Sequence, residues 1–274
     1  MARWINLRPT RRTAVPLAML PFVLVLLLYT AGSHVRKAEN PNDKLLPSLT
    51  ELTAAVERVA LTPDRRSGRY LLWSDTAASL RRLVLGVVIA AAIGLSLGLA
   101  IGLLPVVRAT MAPFVAAVSL IPPLAILPVL FIVFGLGEVA KVVLVVVGIA
   151  PFLVRDLAQR TAELPQEQLV KAQTLGAGSW LVVWRVALPQ IAPRLISAVR
   201  LALGPAWLFL ISSEAIAATA GLGYRIFLVR RYLAMDVILP YVIWITLLAF
   251  LLDLALRLAS RRLFPWAQAT ESGL

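Results

Sequence analysis

The residues able to do chemistry in this chain sit in apolar company. Glu214 lies within a largely apolar run from Leu195 to Ala217, together with Arg200 and Pro205. Arg200 is 14 residues away, or roughly 21 Å along a helix. A carboxylate inside a membrane span must face a partner or a wet cavity. Glu214 could therefore touch a solute, hold a gate, or pair with an arginine such as Arg225; gating or pairing is the preferred reading. Asp253 and Arg257 stand four apart on one helical face, which a local ion pair explains. Asp156 next to Arg155 reads the same way, and Glu138 and Lys141 read as solvated residues bracketing a turn. No two acids have the arrangement of a hydrolase pair, and no nucleophile stands with a base. There is no cysteine, and the one histidine, His34, reads as a solvated loop residue rather than a metal ligand. No G-x-x-x-x-G-K-[ST] sequence occurs, so the chain carries no phosphate-cradling loop of that kind. The sequence offers no enzyme active site.

These residues need apolar elements to position them. The 274 residues are 60% hydrophobic, and the mean hydropathy is +0.86. The excess lies in long runs, as in an integral membrane protein. The net charge of +13 comes from basic residues flanking those runs, where they meet lipid head groups. It gives no basic-aromatic stripe for nucleic acid, and no nucleic-acid partner is expected. An all-α fold of six spans is predicted. Residues 1–33 form an N-terminal segment and a retained first span, Ala14 to Ala31. Residues 34–82 form an outer segment, where Ser48-Leu49-Thr50-Glu51 has the form of a capping box. The helix it opens carries Leu49, Leu52, Val56 and Val59 on one face and is expected to lie on the membrane surface. A second short helix is expected to start near Asp75 and run into the next span. Residues 83–258 form the membrane core, and residues 259–274 a tail.

Within that core, Leu83 to Leu104 spaces Gly86, Ala90, Gly94, Gly98 and Gly102 four apart. Such a ladder lets another helix approach closely. Met111 to Phe134 is broken by Pro122-Pro123. Freed carbonyls in lipid must face protein or a water path, so these prolines are candidates for the lining of a route. Val139 to Val154, Leu195 to Ala217 and Val237 to Leu256 complete the predicted spans.

Between the fourth and fifth spans runs the polar stretch Glu163 to Pro193, ELPQEQLVKAQTLGAGSWLVVWRVALPQIAP. Two short helical patterns flank Gly176 and Gly178, and Pro189 is expected to stop the second. Each is too short to span a bilayer. A helix–Gly–helix elbow suits the gripping of a soluble partner. This stretch resembles the coupling loop, known as EAA, of permease subunits in ATP-binding-cassette importers. Ala172, Gly176, Val186, Leu188 and Pro189 fall at the family's positions, while Val170 and Lys171 stand where Glu and Ala are usual. The resemblance runs from about Leu45 to Trp266. It takes in Leu45-Leu46-Pro47-Ser48, Ser79-Leu80-Arg81-Arg82, Ile121-Pro122-Pro123-Leu124-Ala125, Phe134-Gly135-Leu136-Gly137-Glu138 and Gly221-Leu222-Gly223-Tyr224. Together these resemble the nitrate/sulfonate/taurine branch.

The resemblance implies a MetI-like core and a coupling loop over residues 157–193 facing the cytoplasm. It implies a bacterial inner-membrane protein with both termini inside, although basic residues alone divide almost evenly, 14 inside and 13 outside. The implied partners are a second permease copy, forming a homodimer, a cytoplasmic ATPase dimer that binds ATP and Mg, and an extracytoplasmic solute-binding protein. The chain itself is implied to hold no cofactor or metal. Residues 39–48 and 227–241 also resemble members linked to urea- or guanidine-type nitrogen compounds. Outside this family, a proton-coupled carrier using Glu214 and a membrane scaffold stay open.

Overall fold

The computed structural model describes residues 10–65 and 67–267. The basic residues Arg3 and Arg8 and the last part of the predicted tail, 268–274, lie outside the described residues. Every described regular element is helical. They are α1 (Arg11–Glu39), α2 (Leu49–Ala60), α3 (Leu71–Leu103), α4 (Pro105–Val118), a 3₁₀ turn (Pro123–Ile126), α5 (Leu127–Phe134), α6 (Glu138–Ala162), α7 (Gln166–Thr174), α8 (Ser179–Val182), a π turn (Val183–Ala187), α9 (Leu188–Ala217), α10 (Leu222–Arg230) and α11 (Met235–Leu263).

Four stretches are long and apolar enough to cross a membrane unaided: Thr13–Glu39, Leu71–Leu103, Ser179–Ala217 and Met235–Leu263. The pair α4 and Pro123–Phe134, bent by 80°, adds a fifth if it forms one broken span. The predicted count of six is thus not reached by length and composition. The difference lies in α6, which has 25 residues and carries Glu138, Lys141, Arg155 and Asp156. Its surroundings explain its composition, because α6 is enclosed by its neighbours. Leu144, Val145, Leu153 and Leu157 are wholly buried. The outer faces are apolar instead: Val84, Leu85 and Val88 on α3 and Ile243, Phe250 and Leu251 on α11 are exposed. Such a surface belongs against lipid.

Lipid tails are as apolar as leucine, so the helices gain little by hiding apolar surface from them, and close packing has to hold the bundle. The glycine ladder of α3 supplies it. A methyl group built at Gly86 would lie 2.7 Å from Val145, at Gly94 2.7 Å from Leu153, and at Gly98 2.7 Å from Leu157, while Gly102 meets Thr161 in the same way. Each partner is 59 residues further along the chain, so α3 and α6 run parallel in constant register. Their N-terminal ends therefore share one end of the bundle. The C-terminus of α9 arrives at that end, and its N-terminus leaves from the other.

Three local expectations need correction. Pro189 does not stop a helix. The chain stays helical from Ser179 to Ala217, because a π turn precedes the proline and Leu188 N–H already bonds back five residues to Val183 O. That wider register accommodates the donor that proline lacks. The capping box at Ser48 forms: Glu51 N–H donates to Ser48 Oγ and Ser48 N–H to Glu51 Oε2. The buried face of α2, however, is Ala55, Val59 and Ala60, with Leu49 and Val56 exposed. Arg58, paired to Asp236 at 2.9 Å, ties α2 to the start of α11. Finally, the helix expected near Asp75 starts at Leu71 and runs unbroken to Leu103; α1 likewise runs on to Glu39.

Candidate functional site

The sequence-predicted residues fall into three places. Glu214 lies at the end where α3 and α6 begin. Pro122 and Pro123 lie at the bend between α4 and α5. Ala172, Gly176, Val186, Leu188 and Pro189 lie at the opposite end of the bundle, on α7 to α9. Along α9, Glu214 and Leu188 are 26 residues apart, roughly 39 Å.

At the first place a polar knot is built from five helices, α3, α6, α9, α10 and α11. Glu214 is fully buried. Arg82 Nη1 donates to its Oε1 at 2.6 Å, Ser79 Oγ reaches its two oxygens at 2.8 and 2.9 Å, and Gly223 N–H donates to Oε2 at 2.9 Å. Arg82 also holds Glu138 through Nε at 2.5 Å and Nη2 at 2.7 Å, and the carbonyl of Ala220 through Nη1 at 2.8 Å. Lys141 Nζ joins Glu138 at 3.0 Å. Beside this, Asp75 Oδ2 accepts from Arg225 Nε at 2.8 Å and from Tyr241 Oη at 3.2 Å. Three acids and three bases thus balance.

The start of α10 is drawn into the knot. The first N–H groups of a helix have no partner within it and favour negative charge. Here Gly221 N–H donates to Asp75 Oδ1 at 3.0 Å, Leu222 N–H to Ser79 Oγ at 2.9 Å and Gly223 N–H to Glu214. Glycine is required for that approach. A methyl group at Gly221, where φ is +134°, would lie 2.6 Å from the Glu214 carboxylate, and one at Gly223 would lie 2.7 Å from Ile211 O.

Two sequence readings change here. Glu214 pairs with Arg82, while Arg225 pairs with Asp75. Arg82 stands immediately before the predicted span that opens at Leu83 and 132 residues from Glu214, so chain position gave no cue to the pairing. Lys141 is not solvated but 3% exposed, since its ammonium turns inward to Glu138. Only Glu138 keeps a half-exposed side chain.

At the bend, α4 ends at Val118, Pro122 is extended, and the chain re-enters as a 3₁₀ turn at Pro123. A cleft of about 470 Å³ lies between this bend and α6, and Pro123 lines it. Pro122 supplies the break and is not among its lining residues.

At the far end α7 closes with a Schellman turn. Gly176, at φ +83°, takes the left-handed position; its N–H donates to Gln173 O at 2.9 Å, and Ala177 N–H reaches back to Ala172 O at 3.0 Å. Ala172 thus provides the carbonyl that ends the helix and Gly176 the conformation. Leu188 packs on a cluster of Leu99, Leu157, Leu164, Ala187 and Ile191. Gln190 Nε2 donates both to Val186 O at 2.9 Å and to Gln168 Oε1 at 3.0 Å, tying α9 to α7. Pro189 follows the π turn, as described above. The elbow so fixed presents Val170, Leu175, Trp180, Leu181 and Trp184 to its surroundings, Leu175 at 80% exposure and Trp180 at 75%.

The family model described as "Binding-protein-dependent transport system inner membrane component" matches residues 75–265. The taurine transport system permease protein of Escherichia coli (strain K12) is 40% identical over 196 residues, 71% of each chain. A putative aliphatic sulfonates transport permease protein of Bacillus subtilis (strain 168) is 26% identical over 201 residues, 73% of this chain and 72% of its own. In fold, the chain resembles a subunit of the MetNI methionine ABC transporter in an inward-facing conformation, with a TM-score of 0.57 and 22% identity over 70% of this chain and 93% of that one. The matched residues run through the knot, the bend and the elbow alike, and the chain therefore belongs to the inner membrane components of binding-protein-dependent transport systems, as a multi-pass permease of the ABC importer class.

Proposed function

We propose that the chain forms the translocation path of an ATP-driven importer for a small organic sulfonate of the taurine type. The observation that carries this is the 40% identity to a taurine permease across 71% of both chains. The elbow from α7 to α9 supports it. An exposed apolar surface held by a Schellman turn and a buried anchor is a suitable grip for a soluble ATPase, which would bind the ATP and Mg. The elbow then faces the cytoplasm, both termini lie inside, and the knot faces out. A second copy of the chain completes the path, and a binding protein delivers the solute to the knot's end. Closure of the ATPases draws two elbows together, and the knot acts as the outer gate that must loosen before solute enters.

A proton-coupled carrier needs Glu214 free, but both its oxygens are engaged by Ser79, Arg82 and Gly223, so that reading is not carried forward. A urea- or guanidine-type nitrogen compound, suggested by the resemblance of residues 39–48 and 227–241, would use the same machinery and is the alternative cargo. The test is purification of the intact chain in mild detergent with identification of what accompanies it, then reconstitution in vesicles with the binding protein. A stoichiometric ATPase and ATP-dependent uptake of labelled taurine are expected. Uptake that needs no ATPase, or none of any sulfonate, overturns the reading.

A further inference from the structure

The cleft between the α4–α5 bend and α6 carries Arg155, a cation with no carboxylate partner in ion-pair distance among the described residues. Several other cations of the bundle have carboxylates: Arg82 with Glu214 and Glu138, Lys141 with Glu138, Arg225 with Asp75, Arg200 with Asp253; Arg108 instead donates to the carbonyls of Ile101 and Gly102. The acid beside Arg155, Asp156, which sequence alone suggested as its partner, turns instead to Arg160 at 2.6 Å. This is what helical geometry dictates, since neighbours in sequence point about 100° apart while residues four apart share a face.

Arg155 is nonetheless positioned. Its Nη1 donates to Ser119 Oγ at 3.0 Å, and that hydroxyl spends its own hydrogen on Ala116 O at 2.7 Å. The bond crosses from α6 to the end of α4 and fixes one side of the guanidinium, leaving its other N–H groups for a ligand. The guanidinium is a planar fork that matches an oxoanion. The cleft is mixed in character: Ile121, Pro123, Val147 and Phe152 give it apolar walls, while Ser119, Asp156 and Gln159 line it beside Arg155, the Asp156 carboxylate being held by Arg160. With Asp156 taken up in this way, the Arg155 guanidinium beside the apolar part of the wall suits a monoanion with a short carbon chain. The place in the fold fits passage. Arg155 lies 17 residues beyond Glu138 on α6, roughly 26 Å from the knot, so a solute reaching it has already crossed the closed end.

We propose that Arg155, held by Ser119, is a seat for the sulfonate group of the passing solute within this cleft. The choice of sulfonate rests on the function proposed above; the seat itself rests on the cleft and on its cation, which has no carboxylate partner among the described residues. Because the chain has no cysteine, Ile121→Cys places a single thiol at the cleft. The full-length variant, reconstituted in neutral phosphatidylcholine, is treated with the sulfonatoethyl and trimethylammonioethyl methanethiosulfonates, an anionic and a cationic reagent of similar size. The anion-to-cation rate ratio is expected to fall about tenfold when Arg155→Gln is added, to recover in part with Arg155→Lys, and ethanesulfonate is expected to slow labelling only where the cation is present. Phe152→Cys repeats the measurement should the first variant fold poorly. A ratio indifferent to Arg155→Gln overturns the seat, as does labelling slowed by anionic lipid but not by ethanesulfonate, which would make Arg155 a head-group contact. A sulfonate-free transporter would show itself separately, by wild-type vesicles that import no taurine while the ratio still responds to Arg155. In the reconstituted importer Arg155→Gln is expected to lower taurine uptake about tenfold with the ATPase still bound.

Discussion

The two ends of the α3–α6–α9 bundle are held by opposite means. At one end, Glu214, Arg82, Ser79 and Asp75 are buried and satisfied, and three amides at the start of α10 are bound to them. At the other, Leu188, Ala187 and Ile191 anchor an elbow whose Trp180, Trp184 and Leu175 point away from the chain. The first end completes its polar contacts internally. The second leaves apolar surface incomplete, as a surface awaiting another protein does. On the function proposed above, this division gives a permease a seal that is costly to open at the outer end and a handle for the ATPase at the inner one.

The largest effect expected is at the handle. Gly176→Glu forces a side chain into the left-handed conformation, which costs roughly 1–2 kcal/mol for a residue other than glycine, and places a charge on the elbow. A methyl group at Gly176 meets nothing within 4 Å, so the bundle itself has no reason to unfold. ATP-coupled uptake should drop to background, and the ATPase should no longer co-purify, while the amount of chain in the membrane stays the same. Normal coupled uptake by this variant would break the comparison at its root.

At the seal, Arg82→Leu strands the fully buried Glu214, and removing one partner of a buried pair costs about 3–5 kcal/mol. Glu214→Leu should cost a similar amount by stranding Arg82, eased by Glu138. The double variant should be less destabilised than the two singles added together, by about 1–3 kcal/mol. Denaturant unfolding in detergent, followed by near-ultraviolet circular dichroism, measures all three. Strictly additive losses would mean that Arg82 and Glu214 are packed near each other without being coupled.

How much of this could be read from sequence differs between the ends in the same way. The elbow is local. Ala172 and Gly176 act through residues a few positions away, so a glycine break between two short helical patterns was legible, although Pro189 lies inside a continuous helix rather than ending one. The α3 ladder was also legible, since a four-residue spacing of small residues already means a close helix neighbour, though not that the neighbour is α6. The knot is non-local. Ser79, Arg82, Glu138, Gly221 and Gly223 all lie in the short stretches that carry the family resemblance, and this was the available signal. Their joining depends on the parallel register of α3 and α6, which no single stretch encodes. Glu138 and Lys141 read as solvated because a charged pair near a turn usually is; Arg82, 56 residues earlier, reverses that.

The seam between α3 and α6 links the two ends and can be loosened on its own. Gly98→Ala would place a methyl group 2.7 Å from Leu157 Cβ and 3.2 Å from Ala158 N, where only a shift of the helices gives room. Overpacking of this kind costs typically ~1–3 kcal/mol. Gly204 on α9 has nothing within 4 Å, so Gly204→Ala should be neutral or stabilising by about 1 kcal/mol. If both variants unfold alike, the seam is not the rigid link between seal and handle.

The smallest effect separates burial from pairing at the seal's own end. There Arg36–Asp43 and Lys37–Glu51, both at 2.5 Å, tie α1 to the following loop and to the first turn of α2, but one partner of each pair is open to solvent, where salt and water screen it. Hydrogen bonds from Arg36 hold Asp43 below the usual carboxylate range, and hydrogen bonds from Lys37 and then from the Ser48 amide do so for Glu51. A carboxylate depressed in the folded state contributes stability above its unfolded pKa, about 4, and loses it as pH falls through the folded value. Amide exchange over residues 40–60 should therefore be flat from pH 7 to about pH 4.5 once intrinsic rates are divided out, and rise only below pH 4. Glu51→Gln should raise exchange at neutral pH and shrink the acid step, without altering the unfolding midpoint of the bundle. A midpoint that moved with Glu51 would show that exposed pairs at this end carry weight comparable to the buried ones, and that pairing rather than burial makes the seal.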